Sequence, residues 1–184
     1  NEVRGGSPWG EPDQAEQLGR RLQTAWQYLP FERRWGHDDF GNAALAKCPV
    51  TNWVCRPLPW TYTSGHGNLT QITLDWHGTP VAVVVTHIDR EHDRLPQLKT
   101  AFELFTSLPT PALLMGDLNS TPDDPRLQSL LATPGVVDAA LAGPEAPAAG
   151  RIDWILVRGL TSVASGTIDH GESDHPLVWA ELQL

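Results

Sequence analysis

Cysteine is nearly missing: Cys48 and Cys55 are the only two in 184 residues. Two thiols are too few for a disulfide scaffold, and alone they cannot build a cysteine-rich zinc site. Across Pro49 the pair could meet as one disulfide or stay as two free thiols, and both readings stand. Lysine is as scarce, with Lys47 and Lys99 alone, and Lys plus Arg number 13 against 22 Asp plus Glu, a formal net charge of −9. That balance argues against a general polyanion binder, because neutralising phosphates takes clustered cations. Long apolar runs are missing too. The longest, such as Val81–Val85, are a strand's length, far below the ~20 residues of a membrane helix. The first residues read neither as a signal peptide nor as a transit peptide, and no repeat of fixed period is visible.

What is present is a 40% hydrophobic chain with eight Trp and 19% charged residues, unlike a disordered segment. Its length suits one soluble domain that buries roughly two-thirds of its unfolded surface. Residues 4–13 and 143–150 are Gly/Pro-rich and read as loops. Asp13 can cap a helix over Gln14–Tyr28 with Leu18, Leu22, Ala25 and Leu29 on one face. A His37-Asp38-Asp39 loop then leads to a short apolar stretch, Asn42–Ala46, and Pro49–Gly67 reads as irregular. Leu69–Trp76 alternates like a strand, and Pro80–Thr86 is a β-branched run expected to be buried on both faces. A helix over Arg94–Leu108 carries Pro96 in its first turn. Ala112–Met115, Ile152–Val157 and Leu177–Leu182 read as strands, and Pro125–Ala132 as a short helix. Helices interleave with strands that also follow one another directly, which favours a mixed-sheet α/β sandwich.

Residues of metal and acid–base type fall at the ends of these strands. Asp117 and Asn119 follow Ala112–Met115 at i and i+2, so their side chains share a direction, and Gly116 between strand and site lets backbone approach a ligand. A carboxylate and an amide on one face can hold Mg²⁺ and a phosphate oxygen; a turn is the competing use of these residues. His87 continues the face of Val81, Val83 and Val85, as a structural His would too. Asp153 lies in an apolar strand and needs a partner, with Arg151 the nearest candidate for a structural ion pair. In Ser173-Asp174-His175-Pro176 the neighbouring Asp and His point apart in extended chain and so serve different partners. Arg20-Arg21, Arg33-Arg34 and Arg90/Arg94 are local basic groups or solvated faces. The aromatic segment Trp53–Tyr62 either rims a cleft or packs.

Seven stretches in order resemble the endonuclease/exonuclease/phosphatase superfamily, which shares the deoxyribonuclease I-like fold. They are Asn1-Glu2-Val3, Gly41-Asn42-Ala43-Ala44-Leu45, Thr86-His87-Ile88, Arg94 with Gln97, Gly116-Asp117-Leu118-Asn119, Arg151-Ile152-Asp153 and Ser173-Asp174-His175. The resemblance spans essentially the whole chain. It implies a four-layer α/β/β/α sandwich with two mixed β-sheets and hydrolysis of phosphodiester or phosphomonoester bonds assisted by Mg²⁺ or Mn²⁺. By position it makes Glu2 the principal metal ligand and Asp174 a metal-side carboxylate. It gives Asp117 the attacking water, Asn119 and His87 phosphate oxygens, and His175, oriented by Asp153, the reacting phosphate. Asn42 becomes a possible substrate contact. The expected substrate is a phosphorylated small molecule or lipid, with nucleic acid a further possibility, acted on by a monomer. A member that binds a phosphorylated ligand or protein without catalysis is the other alternative. Relatives carry a first strand with an Asn upstream of the Glu2 segment, so the domain, residues 1–184, is expected to be N-terminally incomplete, lacking that strand and a helix. Ala46-Lys47 also replaces the family's common Ser-Arg.

Overall fold

The protein is seen here as a computed structural model that describes residues 3–6, 12–34, 37–61, 67–143, 150–169 and 173–184. Among them, in chain order, come β1 (Val3–Arg4), α1 (Gln14–Leu22), β2 (Ala25–Arg34), β3 (His37–Ala46), β4 (Val50–Pro57), β5 (Asn68–Trp76) and β6 (Thr79–His87). Then follow α2 (Arg94–Ser107), β7 (Ala112–Asp117), α3 (Pro125–Leu131), β8 (Val136–Asp138), β9 (Asp153–Arg158), β10 (Thr161–Ile168) and β11 (Leu177–Gln183). A 3₁₀ turn, Ala139–Ala142, follows β8. Asn1, Glu2, Tyr62, residues 7–11 of the first Gly/Pro-rich loop and 144–149 of the second lie outside the described residues.

The central sheet runs β4-β5-β6-β7-β9-β8. It is antiparallel except between β6 and β7, where α2 makes the crossover that a parallel pair requires. The alternation within β6 sets what lies on each side. Ala82 and Val84 face Leu98, Ala101 and Phe105 of α2 and Leu127 of α3. Val81, Val83 and Val85 face the opposite way, toward Ala44 of β3. In β9, Leu156 joins the helix side, whereas Ile155 and Val157 meet Val178, Ala180 and Leu182 of β11. Each fully buried Val, Leu or Ile among these contributes roughly 1.5–3 kcal/mol. A three-stranded sheet, β1-β3-β2, and a two-stranded one, β10-β11, make the second strand layer. Their pairings are all antiparallel, and α1 packs outside β2 and β3. The order helix, sheet, sheet, helix is the four-layer α/β/β/α sandwich.

Three segments depart from the sequence reading. The first helix ends at Leu22 instead of reaching Tyr28, because Gln23 turns left-handed (φ 54°) and Thr24 N–H closes onto Gly19 O at 3.0 Å. Trp26 then folds back on α1, its ring so close to Gly19 that a Cβ there would lie 2.6 Å from it. Leu18 and Leu22 are about half exposed, while Leu29 is buried from a strand, so the supposed helical face does not exist. Trp26, Tyr28 and Phe31 are strand formers, and tertiary pairing with β3 decides the matter. That pairing also carries His37-Asp38-Asp39 into β3, where a loop is expected from sequence. Pro49–Gly67 is not irregular throughout, since it holds β4. As an edge strand exposed along most of its length, β4 shows no burial pattern to read.

Between the two strand layers lies an apolar cavity of about 510 Å³, whose lining includes Trp26, Trp53, Trp76, Val83, Leu113 and Leu182. Trp53 therefore faces this cavity. Cys48 and Cys55 are both free thiols. No helix among the described residues is long and apolar enough to cross a membrane.

Candidate active site

Register decides which polar residues meet. His87 sits opposite Asp117 across the parallel β6–β7 pair, and Asp117 sits opposite Asp153 across the antiparallel β7–β9 pair. All three continue the inner face of their strands, so His87, Asp117 and Asp153 form one row just beyond the apolar row Val85, Met115 and Ile155. The row opens onto a cleft of about 650 Å³, lined among others by His87, Asp117, Asn119, Asp174 and His175.

Gly116 makes the row possible. Its φ is +136°, and a Cβ there would lie 1.9 Å from Thr86 O. The close approach it permits is thus to the neighbouring strand, not to a ligand as the sequence suggests. Ile88 N–H donates to Asp117 O at 2.9 Å and Leu118 N–H to Ile152 O at 2.9 Å, holding the strand ends together.

Beyond the strand, Asn119 adopts a left-handed conformation (φ 44°), uncommon for a residue other than glycine and frequent at functional sites. Its N–H donates to Asp117 Oδ1 at 2.7 Å and its amide Nδ2 to Ile88 O at 2.7 Å. The same Nδ2 lies 3.4 Å from His87 Nε2 and 3.5 Å from Asp117 Oδ2. Arg94 Nη1 donates to Asn119 O at 3.0 Å, tying α2 to this loop, and Trp154 Nε1 donates to Ser120 O at 2.8 Å. Burial above all pushes the Asp117 carboxyl above its ordinary value; the Asn119 N–H and His87 pull it down, repulsion from Asp153 adds to the rise, and His175 opposes it.

His175 Nδ1 lies 2.6 Å from Asp153 Oδ2. A carboxylate only accepts, so the imidazole proton is on Nδ1. This bond above all raises the His175 pKa above its ordinary value; burial opposes it, and attraction to Asp153, Asp117 and Asp174 adds to the rise. Arg151, the alternative partner of Asp153, is engaged elsewhere: it pairs with Asp138 and lies 3.7 Å above the Trp154 ring. Asp174 and His175 both line the cleft, from a bend rather than extended chain, and His175 also reaches Asp153.

Asn42 is not brought to the cleft lining. It is fully buried, and its Nδ2 donates to Asn68 Oδ1 at 3.3 Å, which in turn secures Leu29 O and Pro30 O through Asn68 Nδ2. It joins β3 to β5. Phe31, which the sequence reading overlooks, does line the cleft, with its ring edge-on to His87 at 5.9 Å. Only the run of aromatic strand formers in β2 signals it. Glu2 lies outside the described residues, and among those described no three His, Cys, Asp or Glu side chains gather to hold a metal ion by themselves. What the cleft does offer, the carboxylates of Asp117 and Asp174 and the amide of Asn119, are hard oxygen donors of the kind that suits Mg²⁺ or Mn²⁺.

The sequence profile of the Endonuclease/Exonuclease/phosphatase family matches residues 6–175. No curated protein sequence matches the chain. Among solved structures, an endonuclease/exonuclease/phosphatase from Bacteroides vulgatus superposes with a TM-score of 0.75 at 16% identity, over 92% of this chain and 80% of that one. A family protein from Leptotrichia buccalis C-1013-b gives 0.74 at 16% identity, over 100% and 85%. The mannosyl-6-phosphatase of Bacteroides thetaiotaomicron VPI-5482 gives 0.68 at 16% identity, over 93% and 81%. At such identities the likeness is one of fold.

Proposed function

Because the chain belongs to the endonuclease/exonuclease/phosphatase family, we propose that it hydrolyses phosphoester bonds of a small phosphorylated molecule with the help of Mg²⁺ or Mn²⁺. The observation that carries this reading is the His175–Asp153 pair at 2.6 Å, set beside the row of His87 and Asp117 at one cleft. The mannosyl-6-phosphatase among its structural relatives supports it. The cation would be held by Asp174 and Glu2, and when bound it offsets the repulsion between an anionic ester and these carboxylates.

The chain's own groups divide the remaining work. Asp117 keeps Oδ1 on the Asn119 N–H, while among the described residues Oδ2 has the 3.5 Å neighbours His87 and Asn119 alone. Oδ2 is therefore the atom that takes the proton from an attacking water, and its raised pKa makes it a better base than an ordinary carboxylate. Asn119 Nδ2 and His87 Nε2, 3.4 Å apart, make only a weak mutual contact, which a phosphoryl oxygen would replace. His175, whose protonated form Asp153 favours, presents its far N–H to charge growing on the phosphoryl oxygens.

Hydrolysis of bis-p-nitrophenyl phosphate and p-nitrophenyl phosphate with Mn²⁺, with and without chelator, tests this. We expect turnover that chelator abolishes and that His175→Ala lowers by about 10²–10³ in kcat. Turnover that is absent, or indifferent to the cation, would overturn the assignment. Cation-dependent nicking of plasmid with no cleavage of the small esters would make the protein a nuclease.

A further inference from the structure

Arg90 is the one guanidinium lining the cleft that has no ion pair or hydrogen bond among the described residues. The other lining arginine, Arg94, donates to Asn119 O and lies 3.6 Å from Asp124 Oδ2. In a chain with 22 acidic and 13 basic residues, a cation among carboxylates would ordinarily be paired. Here two of the neighbouring acids each have one oxygen engaged. Asp89 Oδ1 accepts from the Glu91 and His92 N–H groups at 2.6 and 2.9 Å, and Asp117 Oδ1 accepts from Asn119 N–H.

The backbone that carries Arg90 is also fixed relative to the reacting groups. On one side Ile88 N–H is bonded to Asp117 O and Asn119 Nδ2 to Ile88 O. Asp89 N–H donates at 2.7 Å to Oε1 of Gln97, which is fully buried and whose Nε2 donates to Pro59 O at 3.0 Å. The turn closed by Asp89 then holds the far side. A long cationic side chain thus stands on a rigid platform three residues from His87, at the rim of the cleft, with its donors open. A guanidinium fork matches the two oxygens of a phosphate or carboxylate.

We propose that Arg90 selects substrates carrying a second anionic group, a phosphate or a carboxylate, besides the phosphoester that is cut. The proposal deepens the phosphoester-hydrolase reading and rests on it for the place of the first phosphate. A binding experiment separates the two, because it needs no turnover. Methylenebisphosphonate and methylphosphonate, neither of which is an ester, are titrated calorimetrically in buffered Mg²⁺ into the wild type and Arg90→Gln. The wild type should prefer the bisphosphonate, and the variant should lose about tenfold of that preference, a loss suited to an exposed charge-assisted contact. A wild type that binds both alike or neither, or a variant that keeps the preference, overturns the proposal. Failure to hydrolyse any phosphoester would sink the hydrolase reading but leave this affinity ratio to be judged.

Discussion

At the scale of single residues, the His175–Asp153 pair has the clearest consequence. With its folded pKa raised by Asp153, the imidazolium persists above the ordinary histidine value of about 6.5. The stability that the pair contributes is complete below that value and fades as pH rises through the folded pKa. Asp153→Asn should bring the His175 titration, followed by NMR of its ring protons, downward and move the alkaline limb of activity with it. An unmoved titration would mean that Asp153 does not govern the charge. The gathering of His87, Asp117, Asn119, Asp153, Asp174 and His175 was legible in the sequence because each stands at or beside a strand end, although period-2 counting fixes the side-chain direction only for His87, Asp117 and Asp153, which lie within strands. Asn42 could be given no firm role from sequence, because a buried Asn joining two strands and a ligand-binding Asn look alike until its partner, Asn68, is known.

At the scale of elements, the close β6–β7 approach is the one the site depends on. Gly116→Ala would place a Cβ 1.9 Å from Thr86 O at a φ of +136°, so a backbone must move. A loss of about 3–5 kcal/mol is expected, beyond what an ordinary substitution causes, together with loss of activity as His87 and Asp117 drift apart. Urea denaturation measures it, and an unchanged midpoint would refute the steric account. Strands β5, β6, β7, β9 and β11 were readable because burial leaves an apolar run or alternation. Those that were not, β1 to β4, β8 and β10, leave little mark in their own composition: β2 and β3 owe their form to pairing with one another, and β4 and β10 bury little along their length. The end of α1 is similar. Its C-terminal turn depends on Trp26 packing over Gly19, a contact between segments that local propensity does not encode.

At the scale of the whole molecule, the alternation of helices and strands pointed to a mixed α/β sandwich, and the four-layer order came with the family resemblance. The division of the second strand layer into β1-β3-β2 and β10-β11 did not, since register between distant strands is a tertiary matter. That register also sets two carboxylates opposite one another, Asp117 on β7 and Asp153 on β9. Like charges so placed oppose folding, and Asp117 is buried as well. The chain thus keeps an arrangement that selection for durability alone would discard, and an inactive protein should be the sturdier one. In chelating buffer, Asp117→Asn, which keeps the acceptor for the Asn119 N–H, should be hydrolytically dead yet melt about 2–4 °C higher at neutral pH. The gap should close as pH falls toward the ordinary carboxylate value of about 3.9, where the wild-type acid is itself protonated. Calorimetric melting of the two proteins across that range would reveal whether activity here is bought with stability.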